Sequence, residues 1–146
     1  MNDLFKNINI SIIDTISIVA ELSGIEVYLV GGFVRDLILN RMNKDIDVMV
    51  VGNGIDFAKH ISNKLNKKLQ IFKNFGTAML KTENYEIEFV GARKESYSKD
   101  SRNPVVEQGT LVEDLSRRDF TINSLAISLN KKNYGEIIDL FSGRAD

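Results

Sequence analysis

Tyr28-Leu29-Val30-Gly31-Gly32-Phe33-Val34-Arg35-Asp36, followed by Asp45-Ile46-Asp47-Val48-Met49-Val50-Val51, is the stretch on which the reading of this chain turns. Its first part is an apolar run that meets two glycines and passes into a helical pattern, a strand–turn–helix. Glycine lets the backbone come close to an anion, and the free N–H groups of a helix's first turn attract negative charge. The second part is an apolar run headed by two aspartates one residue apart. On a strand such residues point the same way, with Cα atoms roughly 7 Å apart. Two unit charges at that separation repel by about 2 kcal/mol at an effective dielectric of about 20. Mg²⁺ held between Asp45 and Asp47 relieves that repulsion, because it takes hard oxygen ligands and shares its shell with substrate phosphates. A solvent-facing acid pair at a strand start is the plainer alternative, and the buried apolar run behind the pair weakens it. A phosphate cradle close to a metal-holding acid pair points to nucleotidyl transfer.

Outward from that stretch, the chain sets limits. Its 146 residues are enough for one sizeable core, so a single domain is expected. With 43% hydrophobic and 27% charged residues the composition is that of a soluble globular protein rather than a disordered one. No apolar run approaches the roughly 20 residues that a membrane-spanning helix needs, and the start shows no export signal, so a cytoplasmic protein without a membrane partner is expected. The absence of cysteine excludes disulfides, zinc–thiolate sites and cysteine nucleophiles. A net charge of −1 excludes a large uniform basic surface as the means of binding nucleic acid.

Periodicity places the remaining elements. Ser11 to Leu22 reads as a helix with Ile12, Ile13, Ile16, Val19 and Ala20 on one stripe. Glu26 to Val30 reads as a strand, Phe33 to Leu39 as a short helix, and Asn40 to Lys44 as a polar turn. Ile46 to Val51 suits a central strand buried on both faces. After the turn Gly52-Asn53-Gly54 a helix runs from about Ile55 to Leu65, with strands at Leu69 to Phe72, Thr77 to Lys81 and Tyr85 to Val90. Glu95 to Val112 is polar and aperiodic, and is expected to be a long functional loop. Ser116 to Leu129 is expected to be a helix, with Ile122, Leu125, Ala126 and Leu129 as its apolar stripe, and Ile137 to Leu140 a last strand. Mixed helices and closely joined strands make this an α+β chain.

Further residues join the candidates. Glu88 lies on a strand able to neighbour the Asp45 strand and complete a metal-binding cluster. Glu86 faces the same way, so spacing alone leaves the choice between them open, although Glu86 is the better fit to a plain solvent face. Arg35 is expected in the first turn of its helix, where a cation opposes the dipole unless a phosphate neutralises it. Arg118 falls in line with the expected stripe, with Asp119 and Asn123 on its flank, a set suited to gripping a phosphate and a sugar hydroxyl. The plain alternative is a helix N-terminus with Arg118 snorkelling to solvent. His60 is expected to be structural.

Gly31-Gly32-Phe33-Val34-Arg35-Asp36, Asp45-Ile46-Asp47, Glu88 with Arg93, and Arg117-Arg118-Asp119-Phe120-Thr121-Ile122-Asn123 together resemble the head domain of class II tRNA nucleotidyltransferases (CCA-adding enzymes) and bacterial poly(A) polymerases. The resemblance implies a polymerase-β-like nucleotidyltransferase fold, a mixed sheet flanked by helices. It implies that Asp45 and Asp47 hold Mg²⁺, with Glu88 as the third carboxylate. Gly31, Gly32 and Arg35 then meet the triphosphate of ATP or CTP, and Arg118, Asp119 and Asn123 its phosphate and ribose, while Asp36 is structural. The acceptor implied is the 3′ end of tRNA or another RNA. CCA addition is the leading expectation. Poly(A) addition, a non-catalytic nucleotide- or RNA-binding module, and transfer to a small molecule or protein are the alternatives, the last disfavoured by the Arg118-to-Asn123 motif. Residues 1–146 are expected to form the head alone, without the family's neck, body and tail.

Overall fold

The computed structural model describes residues 11–97, 104–108, 110–116 and 125–139. Along the chain run α1 (Ser11–Ser23), β1 (Val27–Val30), α2 (Gly31–Ile38), β2 (Asp45–Val50), α3 (Gly54–Leu65), β3 (Leu69–Phe72), β4 (Thr77–Lys81), β5 (Glu86–Gly91), β6 (Arg93–Tyr97), β7 (Pro104–Gln108), α4 (Leu111–Ser116), β8 (Leu125–Ser128) and β9 (Ile137–Asp139). Seven strands form one sheet in the order β3-β4-β5-β2-β1-β8-β9, and β6 pairs with β7 in a separate ribbon. Every pair in the large sheet is antiparallel except β2 with β5, which is parallel. A parallel pair needs a crossover connection, and α3 with the β3–β4 hairpin supplies it.

Alternation along the central strands sorts the side chains into two layers. Ile46, Val48 and Val50 of β2, Ile87 and Phe89 of β5 and Val27 and Leu29 of β1 pack against α1, α3 and Phe33 and Val34 of α2. The α1 stripe is the expected one, since Ile12, Ile13, Ile16, Val19 and Ala20 are its buried residues. The opposite face carries a smaller cluster of Tyr28, Val30, Met49, Ala92, Leu115 and Ala126, with Leu111 packed against it. The central strand is β2, as its unbroken apolar run implies, with Ile46, Val48, Met49 and Val50 all buried.

Three expectations are corrected. The expected loop Glu95–Val112 is entered by a strand, Arg93–Tyr97, which pairs antiparallel with Pro104–Gln108, Arg93 standing opposite Gln108. The end of that loop is the start of α4, opened by a reciprocal cap. Thr110 Oγ1 accepts from the Glu113 N–H at 3.2 Å, and the Thr110 N–H donates to Glu113 Oε1 at 3.1 Å. Thr110-Leu111-Val112-Glu113 is therefore a capping box. The expected helix Ser116–Leu129 is replaced over Leu125–Ser128 by β8, which lies between β1 and β9 and is buried throughout. A strand covered on both faces shows no alternation, so apolar spacing does not distinguish it from a helix.

Candidate active site

Where β1 ends, the chain turns at once. Val30 is extended, Gly31 has φ +71°, and α2 begins at Gly31 rather than at Phe33. Because β1 and β2 run antiparallel with Val30 opposite Asp47, the turn falls beside the head of β2. A Cβ placed on Gly31 would lie 2.8 Å from Asp47 Oδ2. Only glycine satisfies both the left-handed backbone and the close approach of that carboxylate. The glycine turn and the acidic strand, separate features in the sequence, are thus in direct contact.

Asp45 and Asp47 share the face of β2 that also carries Met49, with Asp45 exposed and Asp47 half-buried. In the parallel register Glu86 stands opposite Asp45 and Glu88 opposite Asp47. Both glutamates therefore reach the acid face, as their alternation predicts. Their neighbours differ. Lys81, which faces Glu86 across β4–β5, forms an ion pair with it at 3.6 Å, whereas Met79 faces Glu88. Glu86 is thus matched by a surface lysine. Among the described residues no three acidic or histidine groups come close enough to hold a metal ion. The donor chemistry still fits magnesium, which takes one or two protein carboxylates and completes its shell with water and substrate phosphate.

Arg35 is placed differently from expectation. It sits in the last turn of α2, where the helix dipole favours a cation. Its Nε donates to Asp36 Oδ1 at 3.2 Å, and its Nη2 lies 3.4 Å from where a Gly32 Cβ would stand. The guanidinium therefore folds back beside the glycine turn. Asp36 Oδ2 accepts from Asn43 Nδ2 at 2.8 Å. The hydrogen bond from Arg35 holds the Asp36 carboxyl below its ordinary pKa against the opposing effect of burial, helped by the Asn43 amide and the charges of Arg35 and Arg41. Asp36 is thus held between Arg35 and Asn43.

Asn43, inside the expected polar turn Asn40 to Lys44, is a further residue of the site. Its Oδ1 accepts from the Asp45 N–H at 2.8 Å while its Nδ2 donates to Asp36. An asparagine two residues before a strand is the signal for such a side-chain turn, but nothing local announces the bond to Asp36. Arg118, Asp119 and Asn123 lie outside the described residues.

The chain matches the family model described as the poly A polymerase head domain over residues 27–146. An A-adding tRNA nucleotidyltransferase of Aquifex aeolicus (strain VF5) is 45% identical over 119 residues, 82% of this chain and 14% of that protein. The solved structure of a CCA-adding enzyme in an apo form superposes with a TM-score of 0.87 at 37% identity, covering 99% of this chain and 35% of the other. A tRNA nucleotidyltransferase complexed with a primer tRNA and an incoming ATP analogue gives a TM-score of 0.78 at 40% identity, over 90% of this chain and 36% of the other. The mixed sheet, with Asp47 against the glycine turn, has the fold of these nucleotidyltransferases, and this chain belongs to the poly A polymerase head-domain family. It spans about a third or less of the length of these relatives.

Proposed function

We propose that this chain is the catalytic head of an enzyme that adds nucleotides to the 3′ end of tRNA, transferring the nucleotidyl group of ATP or CTP and releasing pyrophosphate. The observation that carries the reading is the packing of the Asp47 carboxylate against Gly31, which brings a candidate metal ligand to the anion-binding turn. Asp45 and Asp47 are the residues to hold Mg²⁺; Glu88, opposite Asp47 in the parallel register, adds negative charge to the acid face without closing a three-carboxylate metal cluster. The bound ion supplies Lewis-acid stabilisation to the attacking 3′ oxygen and the leaving pyrophosphate. Gly31 and Gly32 let the triphosphate approach the backbone, and Arg35 adds positive charge where phosphate charge collects. Arg118, Asp119 and Asn123 complete the nucleotide's contacts. Attack by the 3′ oxygen on the α-phosphate is in line, and positioning with charge neutralisation supplies most of the rate.

Residues 1–146 form the head in this reading, and further regions supply base selection and most tRNA contacts. The A-adding relative favours adenylate as the nucleotide transferred. The test uses the full-length protein with tRNA ending in CC and with tRNA lacking all three terminal nucleotides. Labelled ATP is expected to be incorporated into the first. Incorporation of CTP into the second would make it a CCA-adding enzyme instead. Asp45→Ala is expected to abolish pyrophosphate release, and unchanged turnover in that variant would leave a non-catalytic binding module.

A further inference from the structure

We infer that Asn43 is a positioning residue that ties the first metal-binding aspartate to the helix carrying the phosphate-binding turn. The inference rests on the proposal that Asp45 holds the ion. Asp45 opens β2 and is exposed, so little packing fixes its side chain. Its placement depends on how the backbone enters the strand. On the strand side, the ladder is anchored by the Glu86 N–H, which donates to the Lys44 carbonyl at 2.9 Å. On the approach side, the polar link is the Asn43 Oδ1 bond to the Asp45 N–H at 2.8 Å.

The other end of the same amide reaches Asp36 Oδ2 at 2.8 Å, and that carboxylate also holds Arg35 through Oδ1. The amide cannot be turned over without losing both partners, since a carboxylate only accepts and a backbone N–H only donates. Asn43 Nδ2 also lies 3.9 Å from where a Gly32 Cβ would stand. One half-buried side chain thus joins the glycine turn, the Arg35–Asp36 pair and the start of β2. Two acids, Asp36 and Asp45, are linked through a neutral group that bonds one by its side chain and the other by its backbone. Aspartate at 43 would keep the turn but set a third negative charge against Asp36, and alanine would keep neither bond.

Groups that orient metal ligands typically cost 10–100-fold in metal affinity when removed. The experiment is Mn²⁺ titration of the full-length protein by electron paramagnetic resonance, with Asp45→Ala, Asn43→Ala and Asn43→Ser compared with wild type. Thermal midpoints and the KM for ATP are measured alongside. Serine keeps an oxygen able to accept from the Asp45 N–H and loses the reach to Asp36. Asn43→Ala is expected to weaken Mn²⁺ binding by about tenfold or more, and Asn43→Ser by less, with thermal midpoints and KM for ATP close to wild type. If Asp45→Ala loses the ion and both Asn43 variants bind it normally, the positioning role is overturned. Loss of binding only in step with loss of folded protein, in either variant, overturns it as well. Normal Mn²⁺ binding by Asp45→Ala would instead overturn the metal assignment beneath it.

Discussion

Gly31 shows how a single missing atom shapes the site. Its φ of +71° and the 2.8 Å approach of Asp47 Oδ2 to the place of a Cβ leave no room for any side chain. Gly31→Ala is therefore expected to displace the Asp47 carboxylate and lower turnover by about 100-fold, the usual cost of misplacing a catalytic group by about an ångström. Backbone strain of the order of 1–3 kcal/mol should appear as a lower denaturation midpoint. Activity near wild type in a steady-state assay would show that the carboxylate has freedom to move. Tyr28, on the acid-bearing face, makes a different prediction. Burial first, then the charge and hydrogen bond of Glu26, push its phenol up to about 12. An unfolded tyrosine releases its proton near pH 10. Between about pH 10 and 12 the folded chain holds more protons than the unfolded one, so stability falls as pH rises through that window. Urea denaturation at pH 9 and pH 11 should show the loss, and Tyr28→Phe should reduce it. Tyr134, raised to about 12 by burial and Asp14, retains its own share.

At the level of elements, the start of α3 is the place where packing overrides propensity. A Cβ on Gly54 would lie 2.8 Å from the Gly91 nitrogen and 2.9 Å from the Val90 carbonyl carbon, both backbone atoms that cannot rotate away. In an open helix, glycine to alanine stabilises by roughly 1 kcal/mol. Here Gly54→Ala is expected to destabilise by about 1–3 kcal/mol, as overpacking does, and a guanidinium titration reads the sign directly. Elements with a clear period were legible in advance: α1 by its stripe, β2 by its apolar run, and β5 by Glu86 and Glu88 alternating with Ile87 and Phe89. Elements that differ from their local pattern owe their form to neighbours in the sheet or to a cap beside a polar run. Leu125–Ser128 is a strand because β1 and β9 flank it, a circumstance that no local spacing records. The capping box at Thr110 was written in the residues and hidden by the polar run before it. Arg35 moved from the first turn to the last because α2 starts directly at Gly31.

For the whole molecule, the two faces of the sheet divide the work. One is packed by α1, α2 and α3, and the other carries the acids beyond the cluster around Met49 and Leu115. Among the described residues, no helix is long and apolar enough to cross a membrane. If base selection lies in regions outside these residues, calorimetry on this chain with Mg²⁺ should show weak binding of ATP, CTP, GTP and UTP with little preference among them. Tight binding of ATP and CTP alone would place selection within the head.

The residues by themselves determined the materials of the site: a glycine turn, a pair of aspartates on one strand face and an apolar central strand. Those properties are local, set by side-chain period and backbone freedom, and they survive without knowledge of neighbours. Tertiary structure alone decided that Glu88 stands beside Asp47, that Lys81 matches Glu86, that Gly31 touches Asp47, and that Asn43 ties Asp36 to Asp45. Each is a contact between segments whose register comes from the whole sheet. Register follows from burying Ile46, Val48 and Val50 together with Ile87 and Phe89, a global minimum of exposed apolar area that no single segment encodes.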